Sequence, residues 1–205
     1  MGIVRESIPY ISVPLVLATA AAVFGYWVVA ALLFAVALFM AFFFRDPKRV
    51  PPSDPDVVVS PADGRVTRIE SLAPGAGFGT VVSIFLSPLD VHINRSPIRG
   101  KIVDMLYSPG KFLMATKEEA SLVNEQNALT IQGEKITVGC KQIAGILARR
   151  IVCWKGKGDN LGLGERFGMI KFSSRTDLLL PANVTVTVKK GDRVRGGTTV
   201  IGRIS

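Results

Sequence analysis

Three short segments of the chain contain the side chains that are best suited to chemistry. His92 is the only histidine in the sequence, and it closes the segment SPLDVH directly after an apolar run. Its imidazole is the only side chain here whose unperturbed pKa is near neutrality. Asp63 lies in the turn-like segment PADG, and Ser173 and Ser174 form a pair at the end of a strand-like run. These residues are the candidates for proton transfer or nucleophilic attack.

One combination of these residues has the composition of a nucleophilic triad. A serine hydroxyl is a weak nucleophile until a nearby base takes its proton and a third group orients that base. Asp63, His92 and Ser174 supply such a set, and triads are defined by geometry rather than by sequence order. The chain has no GxSxG elbow, and an aspartate before glycine also suits a tight turn. The residues alone therefore leave catalytic and structural roles open.

The cysteines indicate neither a metal site nor a disulfide framework. Cys140 and Cys153 are thirteen positions apart and have no CxxC or Cys/His companions. We therefore expect buried free thiols in a reducing compartment and no bound metal.

The net charge and the N-terminal segment together favour a membrane protein. An excess of nine Lys and Arg residues over Asp and Glu suits either nucleic acid or an anionic bilayer. No charged residue occurs in the 37 positions from Ile8 to Phe44, whereas about 20 residues span the hydrocarbon core. Residues 1–44 are thus predicted to form a transmembrane helical hairpin that turns at Gly25. A single tilted span is the alternative, and nucleic acid is not expected as a partner.

Basic residues flank both ends of the apolar segment. Arg5 precedes it, and Arg45, Lys48 and Arg49 follow it. The positive-inside tendency then predicts that both ends lie in the cytoplasm, with the remaining domain on that side of the cell membrane.

The rest of the chain divides into a linker and one domain. Residues 45–56 hold four prolines and several charges, which predicts a juxtamembrane linker at the membrane surface. Residues 57–205 are predicted to form a mainly β (α+β) soluble domain with barrel-sandwich-like features, because two glycine turns resemble the hammerhead turns of such folds. A helix is predicted at Lys117 to Val123, and Lys141 to Val152 suits a strand or a short helix. The predicted strands are Val57 to Val59, Gly64 to Ile69, Thr80 to Leu86, Ala128 to Ile131, Lys135 to Val138, Met169 to Phe172, Val184 to Val188 and Thr198 to Ile204.

Several segments in order resemble the phosphatidylserine decarboxylase family, in particular its short membrane-bound subgroup that includes archaeal-type members. The resemblance covers nearly the whole chain, and the serine segment is the most diagnostic part. The matching segments are FRDPKR, SPADG, SPLDVHINR, PGKF, NEQN, QIAG, ARRI and FGMIKFSSR.

The resemblance implies a two-stage chemistry. First, the precursor cleaves itself between Ser173 and Ser174, leaving a large subunit and a small one that begins with a pyruvoyl group derived from Ser174. Asp63 matches a family residue that assists this cleavage. Second, the pyruvoyl cofactor serves as an electron sink while a serine phospholipid, phosphatidylserine or archaetidylserine, loses carbon dioxide. His92 is then the natural proton donor to the substrate carbon.

Two positions depart from the family pattern. The family usually has glycine where this chain has Ser173, and a side chain there obstructs the close approach that glycine permits. Self-cleavage is therefore expected to be slow or blocked. Some relatives carry a second histidine where this chain has Arg95, so His92 serves both stages or the cleavage relies on Asp63.

We also expect a lipid-binding edge, formed by basic residues that attract the phosphate and an apolar lip that dips toward the bilayer. These residues are Lys111, Arg149 and Arg150 for the phosphate and Phe112, Leu113 and Met114 for the lip. The expected partners are the phospholipid substrate, the anionic bilayer and the protein's own two subunits, and a homodimer is the default for a soluble domain. The alternative functions are a membrane-tethered barrel-sandwich adaptor without catalysis and a lipid-cleaving serine hydrolase.

Overall fold

The computed structural model describes residues 2–73, 75, 77–110, 123–145, 150–172 and 174–205. The chain forms two compact units, Met1–Lys48 and Arg49–Ser205. The boundary between the two units therefore falls within the predicted linker.

The N-terminal unit is a pair of apolar helices. Helix α1 (Ile8–Val23) and helix α2 (Trp27–Phe43) are joined by a short turn in which Gly25 has a φ of 81°. The left-handed region favours glycine, because a Cβ atom is strained there. The helices run antiparallel, since the rings of Tyr10 and Phe44 lie 5.2 Å apart. Two short strands, β1 (Gly2–Ile3) and β2 (Arg45–Asp46), pair at the open end.

Large apolar side chains cover the outside of both helices. Leu17 and Val23 on α1 and Val28 and Leu32 on α2 are among those at least half exposed within this unit. A soluble surface rarely presents so much contiguous apolar area. The helical segment Arg5–Val23 is long and apolar enough to cross a membrane, and the 17 residues of α2 are near the lower limit of a span.

The C-terminal unit is built from antiparallel strands, which confirms the predicted mainly β fold class. Its strands are β3 (Val57–Val59), β4 (Gly64–Ser71), β5 (Thr80–Leu86), β6 (Ile93–Arg95), β7 (Gly100–Ser108), β8 (Gln126–Gln132), β9 (Thr137–Ala144), β10 (Ile151–Cys153), β11 (Asn160–Leu161), β12 (Arg166–Ile170), β13 (Ser174–Leu180), β14 (Val184–Val186), β15 (Arg193–Val194) and β16 (Val200–Ile204).

Three sheets arrange these strands. The eight-stranded sheet has the order β11-β7-β8-β9-β13-β5-β4-β15, so β13 is central and pairs with β9 and β5. The two three-stranded sheets are β10-β12-β6 and β14-β16-β3. One hydrophobic core is shared by all three sheets, and its fully buried members include Val58, Ile84, Leu129, Phe167, Leu178 and Ile201.

Two predicted strands, β3 and β5, have the bounds that the sequence indicated, and β7 was not predicted at all. The segment Lys141 to Val152 contains the end of β9 and the start of β10, with residues 146–149 outside the described part. The predicted helix Lys117 to Val123 lies outside the described residues except for Val123.

The segment Arg49–Asp56, which we call the strap, is held against the domain by ion pairs. Asp54 accepts a bond from Arg203 at 2.7 Å, and Asp56 pairs with Lys135 at 2.5 Å. The backbone N–H of Ile204 also donates to the carbonyl of Asp56 at 2.9 Å. The strap is therefore an ordered part of the C-terminal unit.

Candidate active site

Ser174 is the first residue of β13, in the middle of the large sheet. Its cross-strand neighbours are Leu86 on β5 and Ala144 on β9. The residue is fully buried, and its Oγ has no hydrogen-bond partner among the described residues. A buried hydroxyl without a partner costs free energy, so a functional reason for its position is expected.

The backbone just before Ser174 is strained. Phe172 has a φ of 61° and is the only non-glycine residue with positive φ in the described part of the chain. For a bulky aromatic side chain this conformation is a true outlier. Such strain concentrates at functional sites, where the surrounding structure holds it in place.

His92 reaches this region through the loop that leaves β5. That loop begins after Leu86, the cross-strand neighbour of Ser174, and His92 is only 1% exposed. Its Nδ1 lies 3.0 Å from the carbonyl oxygen of Asp90. A carbonyl oxygen only accepts, so Nδ1 carries a proton, and in the tautomer with this single ring proton Nε2 is an acceptor. The His92 carbonyl in turn accepts the N–H of Ile170, at 3.2 Å, four residues before Ser174.

Asp63 lies in the turn between β3 and β4 and is held by two donors. Arg49 Nη2 donates to Oδ2 at 2.6 Å, and the backbone N–H of Gly196 donates to Oδ1 at 2.7 Å. Burial raises the pKa of this carboxyl, although the Arg49 guanidinium and the Gly196 bond act to lower it. A raised pKa brings a carboxyl closer to the range in which it can exchange protons.

Hydrogen bonds join the segments that carry the three candidate residues. The N–H of Arg95 donates to the carbonyl of Pro61 at 2.9 Å, which links the His92 segment to the Asp63 turn. Asn94 Nδ2 donates to Thr176 Oγ1 at 2.9 Å, which links the same segment to the strand that begins at Ser174. The fold therefore brings the three predicted catalytic segments together.

A buried polar network surrounds this junction. Gln142 Nε2 donates to Asn94 Oδ1 at 2.9 Å, and Asn127 Nδ2 donates to Gln142 Oε1 at 3.0 Å. With Thr176 the network spans four strands, and each member is 3% exposed or less. This network was not predicted, although Asn127 and Gln142 occupy core-facing positions of apolar strands, which is the signal that could have found them.

Comparisons with known proteins decide the family. The profile of the phosphatidylserine decarboxylase family matches residues 36–202. A phosphatidylserine decarboxylase proenzyme of Symbiobacterium thermophilum is 46% identical over 98% of this chain and 95% of its own length. A proenzyme of the same name from Pelodictyon phaeoclathratiforme is 47% identical over 81% of this chain and 79% of its own. The chain belongs to the phosphatidylserine decarboxylase family. It is thus a decarboxylase of phospholipid metabolism, a lyase made as a proenzyme.

The two departures from the phosphatidylserine decarboxylase pattern have different structural settings. Arg95, at the position of the second histidine of some relatives, is 7% exposed and donates from Nη1 to the carbonyl of Gly164 at 3.1 Å. Its Cδ also lies close to Gly197. The arginine thus makes structural contacts. Ser173 lies outside the described residues.

Of the six predicted lipid-binding residues, the structure describes only Arg150. Its side chain is exposed, and its carbonyl accepts the N–H of Lys171 at 3.3 Å, three residues before Ser174. The neighbouring Ile151 N–H lies 3.4 Å from an oxygen of buried Glu125, which also accepts a bond from Tyr107. The other five lie outside the described residues: Lys111, Phe112, Leu113, Met114 and Arg149. Within the described residues no group of three His, Cys, Asp or Glu side chains could hold a metal ion.

Proposed function

We propose that this protein cleaves itself between Ser173 and Ser174 and then decarboxylates a serine phospholipid to the ethanolamine phospholipid. The observation that carries the proposal is the buried Ser174 hydroxyl, which has no partner in the described chain and follows the strained Phe172 in a member of this family. Both named relatives are called phosphatidylserine decarboxylase proenzymes. The head group of archaetidylserine has the same chemistry, so both lipids are candidate substrates.

Water is the only added reactant that the self-cleavage requires. The Ser174 hydroxyl loses its proton to a base and attacks the carbonyl carbon of Ser173. The amide C–N bond breaks and an ester forms, with a free amine on residue 174. Loss of the Cα proton then expels the Ser173 carboxylate and leaves a dehydroalanine, which tautomerises to an imine. Water replaces the imine nitrogen, ammonia leaves, and a pyruvoyl group remains.

Two side chains are suited to move the protons. His92 directs Nδ1 to the Asp90 carbonyl, so Nε2 is the ring atom suited to exchange a proton. Asp63 is a carboxylate whose pKa is raised by burial. We propose that Asp63 takes part in the cleavage and that His92 holds the proton that is later returned to the substrate carbon. Positioned acids and bases of this kind typically contribute about 10²–10⁴-fold to a rate.

The environment of residue 174 suits a pyruvoyl group. Its cross-strand neighbours, Leu86 and Ala144, are apolar and fully buried, so the methyl of the group would replace the Ser174 Cβ and Oγ without a new polar partner. The conversion also removes the unpartnered hydroxyl. The pyruvoyl group supplies an electron sink when carbon dioxide leaves the substrate.

The lipid contact is proposed to involve exposed Arg150, beside the segment that leads to Ser174, together with Lys111, Arg149 and the apolar lip Phe112 to Met114. Replacing both Phe112 and Leu113 with serine is then expected to reduce activity on bilayers far more than activity on a soluble short-chain substrate. Equal losses on both substrates would contradict the lip.

We further propose that residues 1–44 cross the membrane as a hairpin, with the catalytic domain in the cytoplasm. Support for the span comes from the exposed apolar side chains of α1 and α2. Support for the orientation comes from the basic residues at the helix ends, Arg5 and Arg45. Protease added outside intact cells should then leave residues 49–205 uncut, and their digestion would contradict the orientation.

Intact-mass analysis of the detergent-purified protein tests the proposed reaction. A decarboxylase precursor should yield residues 1–173 and a 32-residue fragment that reacts with carbonyl reagents, and it should release carbon dioxide from a serine phospholipid. A variant with glycine at 173 should cleave faster. If that S173G variant stays one uncut chain and releases no carbon dioxide, the proposal fails. An acyl-enzyme on an uncut chain would instead indicate a hydrolase, and an uncut, unreactive chain an adaptor.

A further inference from the structure

Arg49, the first residue of the strap, contacts the proposed catalytic carboxylate. Its Nη2 lies 2.6 Å from Asp63 Oδ2, and the two side chains are 13% and 14% exposed. No property of the sequence pointed to this contact, because Arg49 lies in a basic segment that was predicted to face the membrane surface. The strap thus supplies a cation to the site.

The surroundings of Asp63 do not favour its ionised form without Arg49. Burial is the largest influence and raises the pKa, and the charge of Asp90, in the loop before His92, raises it further. The Gly196 N–H, after β15, opposes this with one bond at 2.7 Å. The charged residue of β6, Arg95, directs its Nη1 to the Gly164 carbonyl.

The other strap ion pairs differ from this one in exposure. Asp54 and Arg203 have side chains that are 38% and 60% exposed, and Asp56 and Lys135 are also exposed. Exposed pairs contribute little, about 0–1 kcal/mol. Removing one partner of a buried pair is costly, because an uncompensated charge stays behind.

We propose that Arg49 is a positioning residue for self-cleavage, which holds the Asp63 carboxylate in the geometry and charge state that its part in the cleavage requires. This inference rests on the proposed function. It assigns to the strap a role in the chemistry, since docking of the strap completes the site around Asp63. The membrane-proximal segment and the proposed proton-transfer residue then act together.

The test uses the full-length S173G protein in detergent as the parent and follows the fraction cleaved with time over about pH 5 to about pH 9, a window that covers a raised carboxyl pKa. R49Q should cleave at least about tenfold more slowly near neutrality, a smaller loss than the roughly 10²–10⁴-fold of a removed acid or base, because Asp63 itself is retained. R49K, which restores the charge with a less favourable geometry, should lie between R49Q and the parent.

The pH profile separates positioning from mere stability. Removing the guanidinium removes an influence that lowers the pKa of Asp63, so this pKa rises. If ionised Asp63 is the active form, the rising limb of the profile moves to higher pH and R49Q recovers at alkaline pH. D54N and D56N, which remove strap ion pairs without touching Asp63, should keep the parent profile.

Several results would overturn the inference. One is an R49Q profile identical to that of the parent, and another is an equal shift in D54N and D56N. Thermal unfolding checks that each variant folds. If R49Q does not fold, R49K is compared with the parent, and an unshifted profile then counts against the inference. Failure of the S173G parent to cleave would instead overturn the proposed function itself.

Discussion

The inward face of β13 has an apolar half and a polar half. Leu178 and Leu180 are fully buried in the hydrophobic core, opposite apolar partners such as Val82 on β5. Ser174 and Thr176 point to the same side and are equally buried, yet they are polar. One strand therefore joins a stable core to a site that is costly to bury.

The difference between the halves shows how the fold tolerates strain at its site. Burial of apolar side chains stabilises by roughly 1.5–3 kcal/mol for each large residue. The polar half needs a hydrogen-bond partner for every buried group. Thr176 has one in Asn94, whereas the Ser174 hydroxyl has none among the described residues. The apolar half thus holds in place the half that is arranged to react.

Removing the Ser174 hydroxyl should have the largest effect on the polar half. S174A in the S173G background is expected to abolish cleavage, because the hydroxyl is itself the reactant, and not to lower the free energy of unfolding, because the buried hydroxyl has no partner to lose among the described residues. Mass spectrometry and urea denaturation measure the two quantities. Cleavage of S174A at the same bond would contradict the assignment.

A substitution in the apolar half should change the free energy of unfolding rather than the cleavage. L178A is expected to lower the free energy of unfolding by about 2–5 kcal/mol, the usual cost of a cavity in a core. Once folded, the variant should cleave with the parent's pH profile. A changed profile would mean that the two halves are not separable.

The polar network should show an intermediate effect on both quantities. N94A leaves Thr176 Oγ1 and Gln142 Nε2 without their Asn94 partner, which is expected to cost about 1–3 kcal/mol. Cleavage should also slow, since the bond that links the His92 segment to β13 is lost. Q126A, which changes a residue of β8 outside the network, is the control, and equal slowing in both variants would contradict the prediction.

The smallest effect is expected from Cys140, opposite Leu178 in the apolar half. Burial raises the pKa of this thiol well above its ordinary value. A thiol whose pKa is higher in the folded state stabilises fully below the unfolded pKa, about 8.5, and loses that contribution as the pH rises further. The stability of the parent should therefore fall more steeply above this pH than that of C140A, as measured by denaturation. Parallel curves would contradict the buried thiol.

The sequence predicted the bounds of two strands whose mainly apolar run is followed directly by a Ser-Pro pair. Strands β3 and β5 have the predicted bounds for this reason. Strand β7 was missed because charged residues interrupt it and the register shifts between Ile102 and Asp104, which breaks the two-residue alternation.

Strand β13 (Ser174–Leu180) is not among the strands predicted from the sequence. Arg175 and Asp177 lie in its first half, and charged residues are rarely buried. They form an ion pair at 2.9 Å instead, with side chains 4% and 7% exposed. Pairing of this kind arises only once the strand is folded and could not be anticipated.

The candidate site was predictable only in part. Asp63, His92 and Ser174 could be nominated from their residue types and from the family resemblance. Arg49 and Asn94 could not, because their partners are tertiary: Asn94 bonds to a residue 82 positions away. Local patterns contain no information on such contacts.

The placement of β13 between β5 and β9 determines what a cut ahead of Ser174 would leave behind. The 32-residue piece would still supply β13, the central strand of the eight-stranded sheet. Its strand β15 would pair with β4, and its strand β16 would pair with β3. The two products of the cut would share hydrogen-bonded strands in two sheets. Dilution would therefore not separate them. The mature protein would migrate as one particle on a sizing column and as two chains only after denaturation.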